Sequence, residues 1–237
     1  MTEMLATTAT LATGIVTLVG DERISIPLNL DTLDKFRAWT RADAFPEQGR
    51  IDYIDGNIEV DMQAEEIHDH GGVKIAIVGA IFMINEDEDR GELSSDHTRI
   101  ASPVAGLSCE PDIVFVAHES IDTGAVKFIT KAGKVDRYIE IEGGPDLVVE
   151  IISDSSVTKD TRRLPPGYFN AGVKEFWLVD ARGEAIQFQI HARGPSEFEP
   201  VATDADGFQH SAVLNRSFQL ERNRNRHGHW KYSLEHK

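Results

Sequence analysis

The run "PDLVVEIIS", residues 145–153, constrains the fold more than any other part of the sequence, because its apolar residues are almost uninterrupted. A near-continuous apolar strand has to be covered on both faces. Helical patterns flank this run along the chain, so the sequence predicts a mixed α/β fold with a central sheet between helices. One carboxylate, Glu150, interrupts the run. A buried acid is costly unless it is neutralised, paired or bound to a metal, so Glu150 marks a candidate site.

The first third of the chain shows the patterns of two hairpins and two helices. "TGIVTLVGDERISIP" predicts a β-hairpin turning at Gly20-Asp21, and "GRIDYIDGNIEVDM" predicts a second one turning at Asp55-Gly56. Between them, "NLDTLDKFRAWTRAD" predicts a helix capped by Asn29 or Asp31. A long helix over residues 65–85 follows from the helical spacing of six apolar residues: Ile67, Val73, Ile77, Val78, Ile81 and Phe82.

The rest of the chain is predicted to be mainly β. "ELSSDHTRIAS" and "EPDIVFVAHES" are each predicted to form one strand, ahead of the apolar strand that carries Glu150. A helix over residues 158–170 follows, disturbed by Pro165-Pro166. "KEFWLVDARGEAIQFQIHAR" predicts two strands that turn at Arg182-Gly183, and the remainder is predicted to be β as well.

Composition limits the class of protein. Hydrophobic residues make up 41% and charged residues 27% of the 237 residues, as in a globular protein, and we expect one domain without repeats. The single cysteine, Cys109, excludes an internal disulfide framework and favours a reducing compartment. The first twenty residues contain no Lys or Arg, and no apolar run looks long enough to span a bilayer. The sequence therefore predicts a cytoplasmic protein without membrane contact.

The charge balance is strongly acidic. Forty Asp and Glu residues against 24 Lys and Arg residues give a formal net charge of −16. Nucleic-acid-binding proteins usually present a basic face, so this balance counts against broad, non-specific DNA binding but leaves room for a local basic groove. The markedly basic stretch is "ERNRNRHGHWKYSLEHK", which is expected to be a solvated chain end.

Two Pro-Asp pairs precede apolar strands and supply the acids that can join Glu150. Asp146 lies four residues before Glu150 on one strand, about 13 Å away, so these two cannot share a metal ion. Asp112 begins a different strand, and if the two strands pair, its carboxylate can meet that of Glu150. Two such acids form a hard oxygen site for Mg²⁺ or Mn²⁺. The alternative is that Asp112 and Asp146 cap turns and that Glu150 pairs with a core Arg or His.

These motifs together resemble a known family. "EPDIVFV", "GPDLVVEIISDSS…KD" and "YFNAGVKEFWLVD", with "DYIDGNIEV…H" upstream, are similar to the Uma-type restriction endonuclease family of the PD-(D/E)xK nuclease superfamily. The resemblance covers about residues 30–193. It implies a restriction endonuclease-like core over about residues 50–193. An N-terminal hairpin and helix (residues 14–44) and a C-terminal β extension (residues 194–237) would complete a single domain, residues 1–237.

The resemblance also implies a function and a site. Asp112 and Glu150 match the family's two metal-binding acids, which would hold Mg²⁺ or Mn²⁺ for hydrolysis of DNA by a homodimer. The superfamily's lysine would stand at Ile152, or at Leu164 in the D-x-x-x-K pattern that starts at Asp160, and it is missing from both positions. A further departure is Asn57, where the family often has Glu.

Nearby side chains could replace the lysine. Arg163 lies near the same helix face as Asp160, and Lys159 precedes it, so either could stabilise the transition state; arginine stays protonated and cannot be a base. His68, at the start of the long helix, matches the family's histidine and is expected either to line the site or to be an ordinary surface residue. Cys109 is expected to be an inert buried thiol. The alternative function is an inactive relative that kept the fold as a binding or assembly module.

Overall fold

The structure is a computed structural model that describes residues 13–19 and 22–237. Within these residues, the strands form two six-stranded sheets, a two-stranded hairpin and a C-terminal three-stranded sheet. The hairpin consists of β1 (Thr13–Val19) and β2 (Glu22–Pro27), paired antiparallel as predicted. The predicted turn at Gly20-Asp21 lies outside the described residues.

Helix α1 (Leu33–Thr40) follows the hairpin. Its cap is Thr32, whose hydroxyl accepts a hydrogen bond from the Lys35 backbone N–H at 3.4 Å, so the predicted caps Asn29 and Asp31 are wrong. Thr32 has the extended backbone that precedes a helix, which places its side chain over the free N–H groups of the first turn.

The first large sheet has the strand order β4-β3-β7-β6-β10-β9. The predicted hairpin at Asp55-Gly56 joins β3 to β4 there, with both turn residues at positive φ. Strand β10 pairs with β6 in parallel, and the other pairings in this sheet are antiparallel. The strands are β3 (Arg50–Ile54), β4 (Asn57–Asp61), β6 (Arg99–Ser102), β7 (Leu107–Cys109), β9 (Lys127–Thr130) and β10 (Tyr138–Glu142).

The second large sheet has the order β14-β13-β12-β11-β8-β5 and is also mixed. Its strand β11 is fully buried, pairing with β12 in parallel and with β8 antiparallel. A strand covered on both faces is what its near-continuous apolar sequence predicts. The strands are β5 (Gly91–Ser95), β8 (Ile113–Ala117), β11 (Leu147–Ile151), β12 (Glu175–Asp180), β13 (Gln187–Arg193) and β14 (Phe198–Pro200).

Two predicted strands are shorter than expected. "ELSSDHTRIAS" is not one strand but two, β5 and β6, which belong to different sheets. Asp96 and His97 separate them, both with positive φ, and this break turns the chain from one sheet to the other. "EPDIVFVAHES" stops being a strand at Ala117, where the short helix α3 (His118–Asp122) begins.

Helices cover both faces of the second sheet. Alternate residues of β8 and β11, such as Phe115 and Val149, pack against Val73, Ile77, Ile81 and Ile84 of helix α2 (Val73–Glu88). The intervening residues Val114 and Val148 pack against Leu164 and Tyr168 of helix α4 (Leu164–Ala171). The predicted arrangement, with one helix on each face, is confirmed.

Each of these helices begins with a π-helical turn. Ile67–Gly72 leads into α2, with the Gly71 N–H bonded to the Glu66 carbonyl at 2.9 Å, and Lys159–Arg163 leads into α4. Pro165 and Pro166 are the second and third residues of α4, directly after the π turn, and the helical segment continues through them. Such π turns occur often at functional sites.

The long helical segment Ile67–Glu88 corrects two expectations. By length and composition it is apolar enough to cross a membrane, against the prediction that no run is. Its buried side packs on the sheet, as a core helix does, which is the commoner reason for such a composition. Ile67 and Phe82, predicted on the buried side, are exposed, because Val73, Ile77 and Ile81 define the face that meets the core.

The C-terminal residues are structured rather than a solvated end. They form β15 (Gln209–Ser211), β16 (Arg216–Arg224) and β17 (Trp230–His236), an antiparallel sheet. Phe218, Leu220, Tyr232 and Leu234 join the core cluster of α2 and β11. The expectation of a solvated chain end for residues 221–237 is therefore wrong for β17, whose Tyr232 and Leu234 are buried, whereas residues 223–229 are exposed.

Candidate metal and phosphodiester site

The pairing of β8 with β11 brings the two predicted metal ligands together. Val149 lies opposite Ile113 in this antiparallel pair, so one further step places Glu150 opposite Asp112. Side chains opposite each other in such a pair have Cβ atoms about 5 Å apart. Both residues are 1% exposed. The two acids therefore lie at the same end of the sheet.

Cationic side chains from two other elements surround Asp112. Its Oδ1 accepts a hydrogen bond from Arg50 at 3.0 Å and lies 3.5 Å from the Lys74 ammonium. Its Oδ2 lies 3.3 Å from His70 Nε2 and accepts a bond from the Ile151 N–H at 2.8 Å. Burial would raise the pKa of this carboxyl, but the His70 hydrogen bond and the Arg50 charge hold it well below its usual value. Asp112 is therefore ionised.

Glu150 has the opposite environment. Its Oε1 accepts a hydrogen bond from the Tyr168 hydroxyl. Complete burial raises the pKa of Glu150 well above its usual value, and the charges of Asp160 and Asp112 raise it further. Glu150 is thus an acid that the surrounding protein does not fully compensate. This answers the question that its place in an apolar strand poses, because such a residue needs a cation.

The π-helical turn before α4 adds a cation and a third acid. Lys159 and Asp160 are both buried, and the Lys159 ammonium lies 3.3 Å from Asp52 Oδ2 on β3. Burial lowers the pKa of Lys159, but the charges of Asp52 and Glu150 raise it above its usual value, so the ammonium stays protonated. Burial raises the pKa of Asp160 to about 6. Within the described residues, Asp160 Oδ1 has no hydrogen-bond partner.

Two of the predicted catalytic side chains lie elsewhere. Arg163 forms a two-pronged ion pair with Glu59 on β4 and is 46% exposed, away from Glu150. His68 stacks on His229, the residue just before β17, with the ring centroids 4.6 Å apart. His70, two residues later in the same π turn, contacts Asp112 and lines the cleft.

The two positions at which the family's lysine was expected, Ile152 and Leu164, have different surroundings. Leu164 is buried in the apolar cluster with Tyr168 and Val148, so its side chain is part of the core. Ile152 is 5% exposed and lines a cleft together with Arg50 and His70. Lys159 is the predicted substitute that the structure brings near Glu150, since its charge acts on the pKa of that acid.

The second Pro-Asp acid and the cysteine have structural surroundings. Asp146 accepts hydrogen bonds from the Ala117 N–H at 2.6 Å and the Ser120 hydroxyl at 2.9 Å, and it pairs with Lys174. It therefore ties β8 and α3 to β11, as a turn cap would. Cys109 is buried 3.6 Å from the Tyr168 hydroxyl, and burial raises the pKa of its thiol, as expected of an inert residue.

A cleft of about 590 Å³ opens beside Asp112. Its walls include Arg50, His70 and Ile152, next to the buried acids, and Arg182. Acidic residues dominate the rest of its lining: Asp61, Glu65, Glu66, Asp69, Asp96, Glu110 and Asp154. The mouth of the candidate site is therefore negative, which is unfavourable for a phosphate group unless cations are added.

The donor set suits a hard divalent cation. Among the described residues, no three His, Cys, Asp or Glu side chains surround a point where a metal could sit. Mg²⁺ does not require such a cage, because it is commonly bound by one or two carboxylates with waters and substrate phosphate oxygens. Asp112 and Glu150 provide two carboxylates, and burial together with the charges of Asp160 and Asp112 raises the pKa of Glu150, so a cation bound beside Glu150 would favour its ionised form. The residues present fit Mg²⁺ or Mn²⁺.

Sequence reasoning missed four of the residues around these acids: Arg50, Asp52, His70 and Lys74. Arg50 and Asp52 alternate on β3 and face the site, and the charged residues of "GRIDYI" amid apolar ones were an available signal. Lys74 lies four residues after His70, one helical turn further along the same face. Its ammonium contacts Glu65 at 2.8 Å and Asp96 at 2.5 Å.

Comparison with known proteins was made on sequence and on structure. The Uma2 family, described as "Putative restriction endonuclease", matches residues 33–223. A search of curated proteins found no match. A crystal structure described as a putative nuclease belonging to DUF820 from Anabaena variabilis is similar in fold, with a TM-score of 0.53 and 18% identity. The similarity covers 78% of this chain and 90% of that chain, and it confirms the predicted α/β fold with a restriction endonuclease-like core.

Proposed function

Because the chain belongs to the Uma2 restriction endonuclease family, we propose that it is a nuclease that hydrolyses DNA phosphodiester bonds with Mg²⁺ or Mn²⁺ at Asp112 and Glu150. The observation that carries this proposal is that the two buried acids lie at the same end of the β8–β11 pair, where the Asp112 charge helps to raise the pKa of Glu150. Ionised Asp112 and uncompensated Glu150 would hold the cation. A bound divalent cation activates a water and offsets charge on the scissile phosphate.

The protein side chains would supply orientation and a fixed charge. Tyr168 donates its hydroxyl to Glu150 and so fixes the direction of that carboxylate. Lys159 is buried, protonated and within electrostatic reach of Glu150, so it is suited to stabilise negative charge that develops on the phosphate. Its protonation makes it a poor general base. Arg50 and His70 orient Asp112 from the cleft side.

The test is nicking of supercoiled plasmid by the wild type, Asp112→Asn and Glu150→Ala, each with Mg²⁺, with Mn²⁺ and with EDTA. Asp146→Asn is the matched control, since Asp146 is the acid of the second Pro-Asp pair and its side chain contacts Ala117, Ser120 and Lys174 instead of the candidate site. We expect metal-dependent nicking by the wild type and the control, and none by the two site variants. Mn²⁺ should support it better, because Mg²⁺ demands nearly ideal octahedral geometry.

A second reading of the family match is supported by Ile152 and Leu164, which occupy both lysine positions. An inactive relative would use the fold to bind or assemble without cutting. Equal nicking by the wild type and Glu150→Ala would mean that the activity is a contaminant, and this reading would then be preferred. The melting temperature of each protein with and without Mn²⁺ tests the metal site separately. If Mn²⁺ raises the melting temperature of the wild type but not that of Glu150→Ala, the protein binds metal at Glu150.

A further inference from the structure

The hairpin of β16 and β17 concentrates positive charge in an otherwise acidic protein. Residues 222–231 contain Arg222, Arg224, Arg226 and Lys231, together with His227 and His229, and we call this segment the basic arm. No Asp or Glu occurs from residue 222 to residue 234, although the whole chain has a net charge of −16.

The charges at the end of the basic arm are available to a ligand. Arg224, Arg226 and Lys231 are exposed, and within the described residues none of them forms a salt bridge. The Arg224 guanidinium lies 3.3 Å from the centroid of the Trp230 ring, and its Nη1 donates to the Gly228 carbonyl at 2.8 Å. Stacking on the aromatic ring orients this charge without neutralising it.

The basic arm is attached to both sides of the cleft. Tyr232, at its base, donates to Asp69 Oδ1 at 2.8 Å, and Asp69 lines the cleft. On the other side, Arg222 donates to the carbonyls of Ala181 at 3.0 Å and Gly183 at 2.8 Å. The residue between those two carbonyls, Arg182, also lines the cleft. These contacts hold the positive arm next to the negative mouth.

This juxtaposition answers a problem that the proposed function raises. The cleft carries seven carboxylates in its lining, so a polyanion approaching it would be repelled. Attraction has to come from a neighbouring surface, and the basic arm is such a surface. The family match ends at residue 223, inside β16, so the tip and the returning strand lie outside the matched region.

We propose that the basic arm binds the phosphate backbone of double-stranded DNA and holds the duplex over the cleft, an inference that rests on the proposed function. The exposed charges suit phosphates, and contacts of this kind position a duplex without reading its sequence. An anionic membrane is a poorer ligand, because Trp230, the large apolar side chain of the arm, lies beneath Arg222 and Arg224 instead of being free to insert.

The test compares the triple variant R224Q/R226Q/K231Q with the control variant K127Q/K134Q/R137Q. The control loses the same charge from exposed residues around β9, at the far edge of the first sheet. Binding of a short fluorescent DNA duplex to the full chain is measured by anisotropy in EDTA, between about 50 and 200 mM salt.

If the three side chains each neutralise a phosphate, the slope of log K against log salt becomes shallower by about 2.7, at about 0.9 per contact. The control should keep the wild-type slope, and R224K/R226K should keep it too. If the triple variant does not fold, the single variant R226Q provides the same test, with a slope expected to become shallower by about 0.9.

An unchanged slope in both arm variants would overturn the proposal, and so would arm-dependent binding of phosphatidylserine vesicles without binding of DNA. These outcomes are separate from the fate of the nuclease proposal. Metal-dependent nicking by the wild type, together with an unchanged salt slope in the arm variants, would refute the DNA-binding role of the basic arm and leave the nuclease proposal standing. If DNA binding depends on the basic arm but Glu150→Ala still nicks plasmid, the catalytic role of Glu150 is refuted and the role of the basic arm stands.

Discussion

Replacing Asp160 by Asn tests the claim that the site is short of positive charge. Asp160 is 2% exposed, and its Oδ1 has no hydrogen-bond partner among the described residues. Burial raises the pKa of its carboxyl from 3.8 to about 6, opposed by the Lys159 charge. Asn has nearly the same shape and cannot ionise, so Asp160→Asn removes the charge and keeps the packing.

The size and sign of the effect follow from that pKa. One pKa unit corresponds to 1.36 kcal/mol, so a rise from 3.8 to about 6 makes ionised Asp160 destabilise the folded state by about 3 kcal/mol. Between these two values the folded protein binds the proton and the unfolded chain has released it. The contribution of Asp160 to the free energy of unfolding of the wild type therefore falls as pH rises through this window, and Asp160→Asn lacks that contribution.

The assay is urea denaturation of both proteins in EDTA at several pH values from 4 to 8. We expect the free energy of unfolding of the variant, relative to that of the wild type, to increase by about 3 kcal/mol across this range, with most of the increase below pH 6. Mn²⁺ should then stabilise the wild type, because it compensates the buried acids. A stability difference that stays constant from pH 4 to pH 8 would refute the reasoning, since an uncharged cause such as repacking has no pH dependence.

Two further predictions concern the missing and the substitute lysine. Ile152→Lys places an amine at the wall of the cleft and should raise plasmid nicking, by up to about 10²–10³-fold, whereas Leu164→Lys puts the amine into the apolar cluster and should lower the free energy of unfolding by at least about 1–3 kcal/mol. Equal nicking by Ile152→Lys and the wild type would argue against a role for an amine there. Lys159→Met should cost about 3–5 kcal/mol in urea denaturation, because Asp52 is left buried and unpaired. The double variant with Asp52→Asn should recover part of that loss, and additive losses would contradict the pairing.

Local sequence patterns predicted the fold well where the spacing of apolar residues matches the face of the element that is buried. The apolar strand around Glu150 and the turn at Asp55-Gly56 depend on residues next to one another in the chain, and the structure confirms both. The division of the strands between two sheets was not predictable in this way. It depends on the positive φ of Asp96 and His97, and polar residues in a strand-like run do not reveal such a break.

The two candidate acids were predictable because a buried acid is rare, two Pro-Asp motifs limited its partners, and the family resemblance matched Asp112 and Glu150. Their surroundings were not, because Arg50 and Asp52 reach the site from the other sheet, separated from Glu150 by about a hundred residues of chain. His68 was preferred to His70 because the family resemblance placed the family's histidine at His68. The π turn at Ile67–Gly72 changes which residue faces inward, so the choice between two nearby histidines required the structure.

A π-helical turn also bears on the lysine that is missing from both expected positions, because it brings Lys159 near Glu150. A π-helical turn over Lys159–Arg163 directs two consecutive residues, Lys159 and Asp160, into the protein interior, while Arg163 faces outward to Glu59. The D-x-x-x-K spacing assumes a regular helix, and it therefore points to Leu164, which packs in the core. If Lys159 provides the fixed charge, the amine reaches Glu150 from the residue before Asp160 instead of four residues after it. Nicking by Lys159→Arg compared with the double variant Lys159→Met/Asp52→Asn then decides the matter, because the double variant leaves no unpaired Asp52, and a positioned charge tolerates arginine in part but not its loss.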